Sequence, residues 1–327
     1  MIPPEPLLVI LVKLVNRIPM PSPPSKRKRG HPFVYPDRLF LQALVIMIVR
    51  HLHKVHELLM ALDEENAEMQ TLHTVLTENG RYPSRRTWER RLKAIPDTLP
   101  AQIGCLGRYL VSLIQPWQTS GRAGAIDSTV LRAAGGVWHK KDREQGVVPH
   151  TSIDTEAAWT KSGWHGWGHG WKLHLISAVA TVWIPLAALL TPANTADNEA
   201  APALIREAPP EMRFLLGDRH YNAPNVRATW ESPERILVAS QYGAYPHTGD
   251  GVEVRRVFHK LRSRTIENFN EHFKGIFDGH GQVPTKGWLN TQRFALGAVF
   301  VYQLALLYRF ENQLPLCIGL KAFLKAA

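Results

Sequence analysis

Apolar and polar positions divide the chain into a helical first part and a remainder of alternating strands and helices. From Pro36 to Leu99 the spacing is helical. Pro36-Asp37 opens a helix whose interior, Leu39 to Val49, is apolar nearly all round, which predicts a buried helix. Further helical stretches are expected near Val55–Leu62 and Glu68–Leu76, and Asn79-Gly80 breaks the chain. Ser84 then stands where an N-cap belongs. In the helix that follows, Trp88, Leu92 and Ile95 form one apolar stripe, and Arg86, Arg90 and Lys93 repeat the same spacing on the opposite face. One face of that helix can dock on a core while the other meets phosphates, as in the second helix of a helix-turn-helix; the plainer reading is a basic solvated face.

From Gly124 onward the texture changes. Strands are expected at Gly124–Leu131, Lys172–Ile184, Leu186–Thr191, Phe214–Gly217 and Ile236–Ser240, and helices near Asp197–Glu207, Pro224–Trp230 and Phe258–Phe277. Strands first, then strands alternating with helices, predict a mixed α/β sheet. Trp138 to Trp171, rich in Gly, Trp and His, reads as a long excursion between the first two strands, and Phe294–Leu307, apolar but for Gln303, as a buried helix. No span of about 20 apolar residues suits a membrane crossing, since Leu7–Val15 is short and contains Lys13. Signal-peptide architecture is not expected either, because prolines follow Met1.

Composition narrows the function classes. With 327 residues, 45% hydrophobic and 20% charged, the chain is globular and long enough for a sizeable core. Lys plus Arg number 39 against 28 Asp plus Glu, a formal net charge of +11. Such a balance gathers polyanions, nucleic acid before an anionic membrane surface. The run Lys26-Arg27-Lys28-Arg29, beyond a proline cluster at Pro19, Pro21, Pro23 and Pro24, is either a solvated tail or a phosphate contact. Two cysteines, Cys105 and Cys317, exclude a disulfide framework or a thiolate zinc site made by this chain alone.

Three carboxylates stand in unusual contexts. Asp127 lies within a strand of apolar neighbours, where an acid must face solvent, pair with a cation or bind metal. Asp218 follows the apolar strand Phe214–Gly217, at the strand end where ligands collect. Glu267 borders the apolar face Phe258, Ile266, Phe269, Phe273 and Ile276, with Lys274 about 20° away around an α-helix two turns on. Singly, each is most simply a surface charge or a cap. Together, two strand-associated aspartates and a helical glutamate can converge on hard cations that serve in-line phosphoryl transfer.

The order of motifs resembles that of the DDE transposases of bacterial insertion sequences, in the four/five-type group. The landmarks are Ile126-Asp127-Ser128-Thr129, then Gly170-Trp171-Lys172-Leu173-His174, then Thr191-Pro192-Ala193-Asn194 with Asp197, then Gly217-Asp218-Arg219-His220-Tyr221, and last Glu267 with Phe269, Phe273 and Lys274. The resemblance runs from about Asp37 to the C-terminus. It implies an RNase H-like mixed sheet flanked by helices, preceded by an all-helical DNA-binding region. It divides the chain into a leader and linker (1–32), the helical region (33–118), the catalytic domain (119–311) and a tail (312–327). It further implies Asp127, Asp218 and Glu267 as catalytic residues and ligands of two Mg²⁺ or Mn²⁺ ions. Lys274 would contact DNA near the scissile phosphate; Arg219 and Tyr221 would touch the element end, and Arg264, with Arg86, Arg90 and Lys93, would also bind DNA. The implied partners are the terminal inverted repeats and target DNA, held by a homodimer in the bacterial cytoplasm at the nucleoid, with no membrane. The family's Tyr and Arg seven and four residues before the glutamate are here Lys260 and Ser263, with Arg262 and Arg264 flanking the second. The stretch between Ser240 and Phe258 is too short for the β-rich insertion some relatives carry.

Three other readings stand beside this one: a transposase derivative that binds DNA without cutting it, an RNase H-like nuclease without strand transfer, and a histidine-based metallohydrolase. The last would draw on His150, His165, His169 and His174, but Gly163, Gly166, Gly168 and Gly170 interleave them and argue against the helix such a zinc site needs.

Overall fold

The computed structural model describes residues 5–22, 34–115, 122–162, 166–179, 181–239, 256–257, 260–277, 280–316 and 318–327. The basic run Lys26–Arg29, Ser240 and Phe258 lie outside the described residues.

Six helices come first: α1 (Leu7–Leu14), α2 (Asp37–Val49), α3 (Val55–Leu62), α4 (Ala67–Val75), α5 (Arg85–Ala94) and α6 (Leu99–Ile114). The expected turn forms at Asn79 and Gly80, both with positive φ. Ser84 caps α5, its Oγ accepting the Thr87 N–H at 3.3 Å. The α5 stripe is buried as its spacing requires, with Trp88 and Leu92 fully enclosed and the Trp88 ring edge-on to Phe40 of α2.

The leader expected before residue 33 is in part a structural element. Helix α1 buries Leu8, Val9, Leu11, Val12 and Leu14, and the segment after it is tied down by side chains from other helices. Arg38 donates to the Asn16 and Ile18 carbonyls at 2.8 and 3.0 Å, and Gln102 donates to the Pro19 carbonyl at 3.1 Å. The physical reason is area. A run too short to span a bilayer is still long enough to bury several large side chains, each stabilising by about 1.5–3 kcal/mol.

The sheet is built from β1 (Ala123–Arg132), β2 (Ala158–Ser162), β3 (Gly166–Ala178), β4 (Pro185–Pro192), β5 (Phe214–Gly217) and β6 (Ile236–Ala239). Between these lie helices α7 (Lys140–Glu144), α8 (Asp197–Arg206) and α9 (Pro224–Trp230). Strand β1 pairs antiparallel with β3 and parallel with β5, and β5 pairs parallel with β6. The 13-residue β3 also carries β4 along one half of its outer edge and β2 along the other. The run β4–β3–β1–β5–β6, three antiparallel strands leading into parallel ones, is the mixed sheet expected of an RNase H-like core. The expected strand Lys172–Ile184 is corrected at both ends: it starts at Gly166, inside the supposed excursion, and stops at Ala178.

A π-helical turn (Ser263–Glu267) leads into α10 (Asn268–Ile276), followed by α11 (Trp288–Glu311) and α12 (Leu320–Lys325). Helix α11 is buried on every face from Thr291 to Leu307, lying between β4 on one side and α1, α2 and α6 on the other. It is long and apolar enough to cross a bilayer, yet most of it is enclosed by the protein itself. Gln303, fully buried at its middle, donates to the Ile103 and Pro185 carbonyls at 2.9 and 2.8 Å. Its N-terminus is capped from the β1–β2 connection, where Asp154 accepts the Gly287 N–H and Glu156 the Trp288 N–H, each at 2.9 Å. Residues 312–327, expected to be a tail, fold back as α12 with Leu320 buried, and Arg309 holds the connection through the Pro315 and Ile318 carbonyls.

Helix α6 crosses β4 so closely that a Cβ on Gly107 would lie 2.4 Å from the Pro185 carbonyl oxygen. Gly107→Ala is therefore expected to destabilise the protein by about 2 kcal/mol, read as a lower urea midpoint with unchanged m-value.

Candidate active site

Strand β1 pairs with β5 only over Ala123–Ala125, so its second half runs on past the end of the parallel strands. Asp127 sits just beyond that pairing, and Asp218 follows directly on the last residue of β5. The chain then turns sharply, with Asp218 capping a 3₁₀ turn (Arg219–Tyr221) by accepting the His220 N–H at 2.8 Å. Its second oxygen lies 3.1 Å from His220 Nδ1. Gly217 allows this turn because a Cβ there would meet Tyr221 Cβ at 2.9 Å.

The third acid reaches the same place from the π-helical turn. In an α-helix, residues five apart lie about 140° apart around the axis. The i→i+5 bonding of a π turn stacks them instead, and so Arg262 ion-pairs with Glu267. Ser263 Oγ donates to the other Glu267 oxygen at 2.5 Å. Trp183 Nε1 donates to the Arg264 carbonyl at 3.0 Å, fixing the turn against the β3–β4 connection. The Arg262 guanidinium also comes within 3.8 Å of Asp127 Oδ2, to which Asn270 Nδ2 donates at 3.4 Å. One guanidinium thus stands between two of the three acids.

The charge balance around Asp127 is unfavourable to its ionised form. Its side chain is 20% exposed. Burial pushes its pKa up to about 7; Arg262 and the Ser128 N–H pull it down, and the negative charges of Asp218 and Glu267 push it up again. Asp218 and Glu267 are thus near enough for their charges to act on Asp127. Among the described residues, no three His, Cys, Asp or Glu side chains are grouped closely enough to hold one metal ion. In donor chemistry the site still fits a hard divalent cation: its acids are oxygen donors, and the negative charge at Asp127 is opposed by the single guanidinium of Arg262.

On the other face of the sheet a polar cluster sits behind Asp127. Asp197, at the start of α8, accepts from Ser128 Oγ at 2.8 Å and from Lys172 Nζ at 3.1 Å. His174 Nε2 lies 2.9 Å from Thr191 Oγ1, and burial lowers the His174 pKa to about 4, so the ring is neutral. The sequence marked Lys172, His174 and Asp197 as landmarks without assigning them a task; their shared cluster explains their spacing. Asn270, three residues after Glu267, carried no such signal.

The residues expected to bind DNA are placed unevenly. Arg86, Arg90 and Lys93 are exposed on the outer face of α5, and Arg219 and Arg264 are exposed near the acids. Lys274 is 12% exposed and pairs with Glu271 at 3.6 Å. Tyr221 is 1% exposed, packed behind Asp218, so in this structure its ring does not reach the surface where an element end would lie. Burial, with Asp127, Asp197 and Asp218 nearby, pushes its hydroxyl pKa well up, and among the described residues that hydroxyl has no hydrogen-bond partner.

The raised pKa of Asp127 makes the stability of the fold depend on pH. Its folded pKa lies above its ordinary value of 3.8. Ionisation therefore costs the fold nothing below about pH 4, costs progressively more up to about pH 7 and the full amount above. Asp127→Asn is expected to raise stability by roughly 1–3 kcal/mol at pH 8, with the gain vanishing near pH 4. Urea melts at the two pH values measure it, and an equal gain at both would contradict the charge balance described.

The profile of the family described as Transposase DDE domain matches residues 118–304, more than half of the chain. No curated protein matches the sequence. Among solved structures, a cryo-EM structure of the piggyBac transposase synaptic complex with hairpin DNA is similar at 9% identity, covering 96% of this chain and 74% of that one, with a TM-score of 0.39. The Mos1 transposase paired-end complex with left transposon end is similar at 14% identity, covering 92% and 82%, with a TM-score of 0.22. The match across the sheet, all three acids and most of α11 makes this chain a member of the transposase DDE-domain family.

Proposed function

We propose that this transposase cuts DNA at the ends of an insertion sequence and joins the freed 3′ end to target DNA. The observation that carries the reading is that Asp218 and Glu267, from two other elements, lie near enough to Asp127 for their charges to act on it, with the Arg262 guanidinium between Asp127 and Glu267. Asp127 and Asp218 would hold two Mg²⁺ or Mn²⁺ ions, and Glu267 would join them on release from Arg262. Bound there, the ions would supply charge neutralisation of the phosphate and activation of the attacking oxygen. The chain's own part is positioning. The end of β5 and the long β1 fix two carboxylates on a rigid sheet, and the π turn presents the third from a helix. The Asp197 cluster clamps the strand residue next to Asp127 to α8 and, through Lys172, to β3. Cleavage and joining are then one reaction type with different nucleophiles, water first and the 3′-hydroxyl second.

The exposed face of α5 would grip the terminal inverted repeats through Arg86, Arg90 and Lys93, with phosphate contacts supplying most of the affinity. Two ends brought together imply a homodimer on DNA, and the setting would be the bacterial cytoplasm. A specific contact favours a second reading: the Arg262–Glu267 pair keeps one acid engaged, as a DNA-binding derivative that no longer cuts would.

Metal-dependent nicking of a duplex carrying the element's end separates the two. Asp127→Ala or Asp218→Ala is expected to reduce nicking at least a hundredfold while end binding changes less than threefold. Persistent nicking in either variant would refute the assignment. Arg90→Ala is expected to weaken binding several-fold and to flatten its dependence on salt by about one phosphate contact. Unchanged binding and slope would remove α5 from the interface.

A further inference from the structure

The β2–β3 hairpin carries an aromatic and basic surface that the site just described does not use. From Leu175, which lies opposite Asp127, every second residue of β3 turns to the same side of the sheet: Leu173, Trp171, His169 and Trp167. The first three are buried; Trp167 is 67% exposed, the most exposed aromatic side chain among the described residues. Burying an indole of this size elsewhere would stabilise the fold, so its place in solvent calls for an occupant. Lys161, directly across the hairpin, holds its ammonium 5.8 Å from the Trp167 ring centroid.

The surface is rigid beneath. Trp159 lies edge-on to Trp167 at 6.3 Å and donates through Nε1 to the Trp138 carbonyl at 2.8 Å, and Trp138 Nε1 donates to the Val147 carbonyl at 2.9 Å. Two acids of this connection turn away from it, Asp154 and Glu156 being engaged at the N-terminus of α11. What remains outward on the hairpin is an indole with a cation on its face, in a chain of net charge +11. That combination suits a sugar–phosphate backbone better than an apolar protein surface.

The geometry assigns Trp167 and Lys161 to a contact with duplex DNA remote from the cut. Eight residues of β3 separate Trp167 from the position opposite Asp127, about 26 Å at 3.3 Å per residue, which is about 8 base pairs at 3.4 Å each. The inference rests on the cleavage reading only in taking Asp127 as the position of the scissile phosphate.

Length dependence tests it. Duplexes carrying the terminal sequence that brackets the gene are trimmed in two-base-pair steps, separately on each side of the cut, and binding is measured for the full-length protein. Wild type is expected to lose about tenfold in affinity as one side falls below about 8 base pairs. Trp167→Ala and Lys161→Ala should bind the long duplex weakly and show no such step, while Trp167→Phe keeps it. Asp127→Asn should keep the step whether or not the protein cuts, so failure of cleavage and failure of this contact are read separately. A step retained in Trp167→Ala would overturn the assignment. So would a step equally strong on a single-stranded flank, or unchanged DNA binding in Trp167→Ala with a dimer-to-monomer shift in sedimentation of the protein alone, which would make the hairpin a contact between copies.

Discussion

A carboxylate held in an apolar strand with other negative charges nearby is costly, and the architecture around Asp127 follows from that constraint. In an apolar sheet an isolated carboxylate would take up a proton or be driven outward. Here it stays because Arg262 approaches from one side and Asn270 donates from the same helical segment. The guanidinium arrives only because the helix changes to π geometry for one turn, and that turn is fixed by Trp183 from the β3–β4 connection. The charge balance at Asp127 thus depends on a local departure from regular helix, with the positive charge supplied from within the chain.

The parts of the fold that were legible in the sequence are those where one periodicity ruled. The spans of α2 and α3, the cap and stripe of α5, the strand β5 and the helix α9 lie where spacing put them, because each buries one face or all faces in the core. The start of β3 was hidden by composition. Trp167, His169 and Trp171 alternate with Gly168 and Gly170, which is a two-residue period, but glycine and tryptophan do not carry the usual β-branched signature. Helix α1 was obscured in another way: its apolar run was weighed against the length of a membrane span and not against the area of a neighbouring helix.

At the site, the acids were legible because each broke a local rule: an acid in a strand, one at a strand end, one bordering an apolar face. Arg262 stood out only as one of two arginines flanking the expected position, since an α-helical count from Glu267 points to Ser263, and the extra residue of the π turn is what brings position 262 into line. Tyr221 shows the converse. Its proximity to Asp218 in sequence is real, but a three-residue 3₁₀ turn folds its ring back under the strand end. Sequence order gives nearness; which way a side chain turns depends on backbone geometry that a motif does not encode.

Helix α11 belongs to both halves of the protein at once. Its outer wall closes the apolar side of α1, α2 and α6, and its inner wall completes the sheet. The N-terminal helices therefore have no lid of their own. Cut away from the C-terminal third, they would present an open oily trough to water, so the N-terminal helices and the sheet domain cannot be parcelled out into independently folding modules. Any fragment meant to isolate the first must carry the last helices with it.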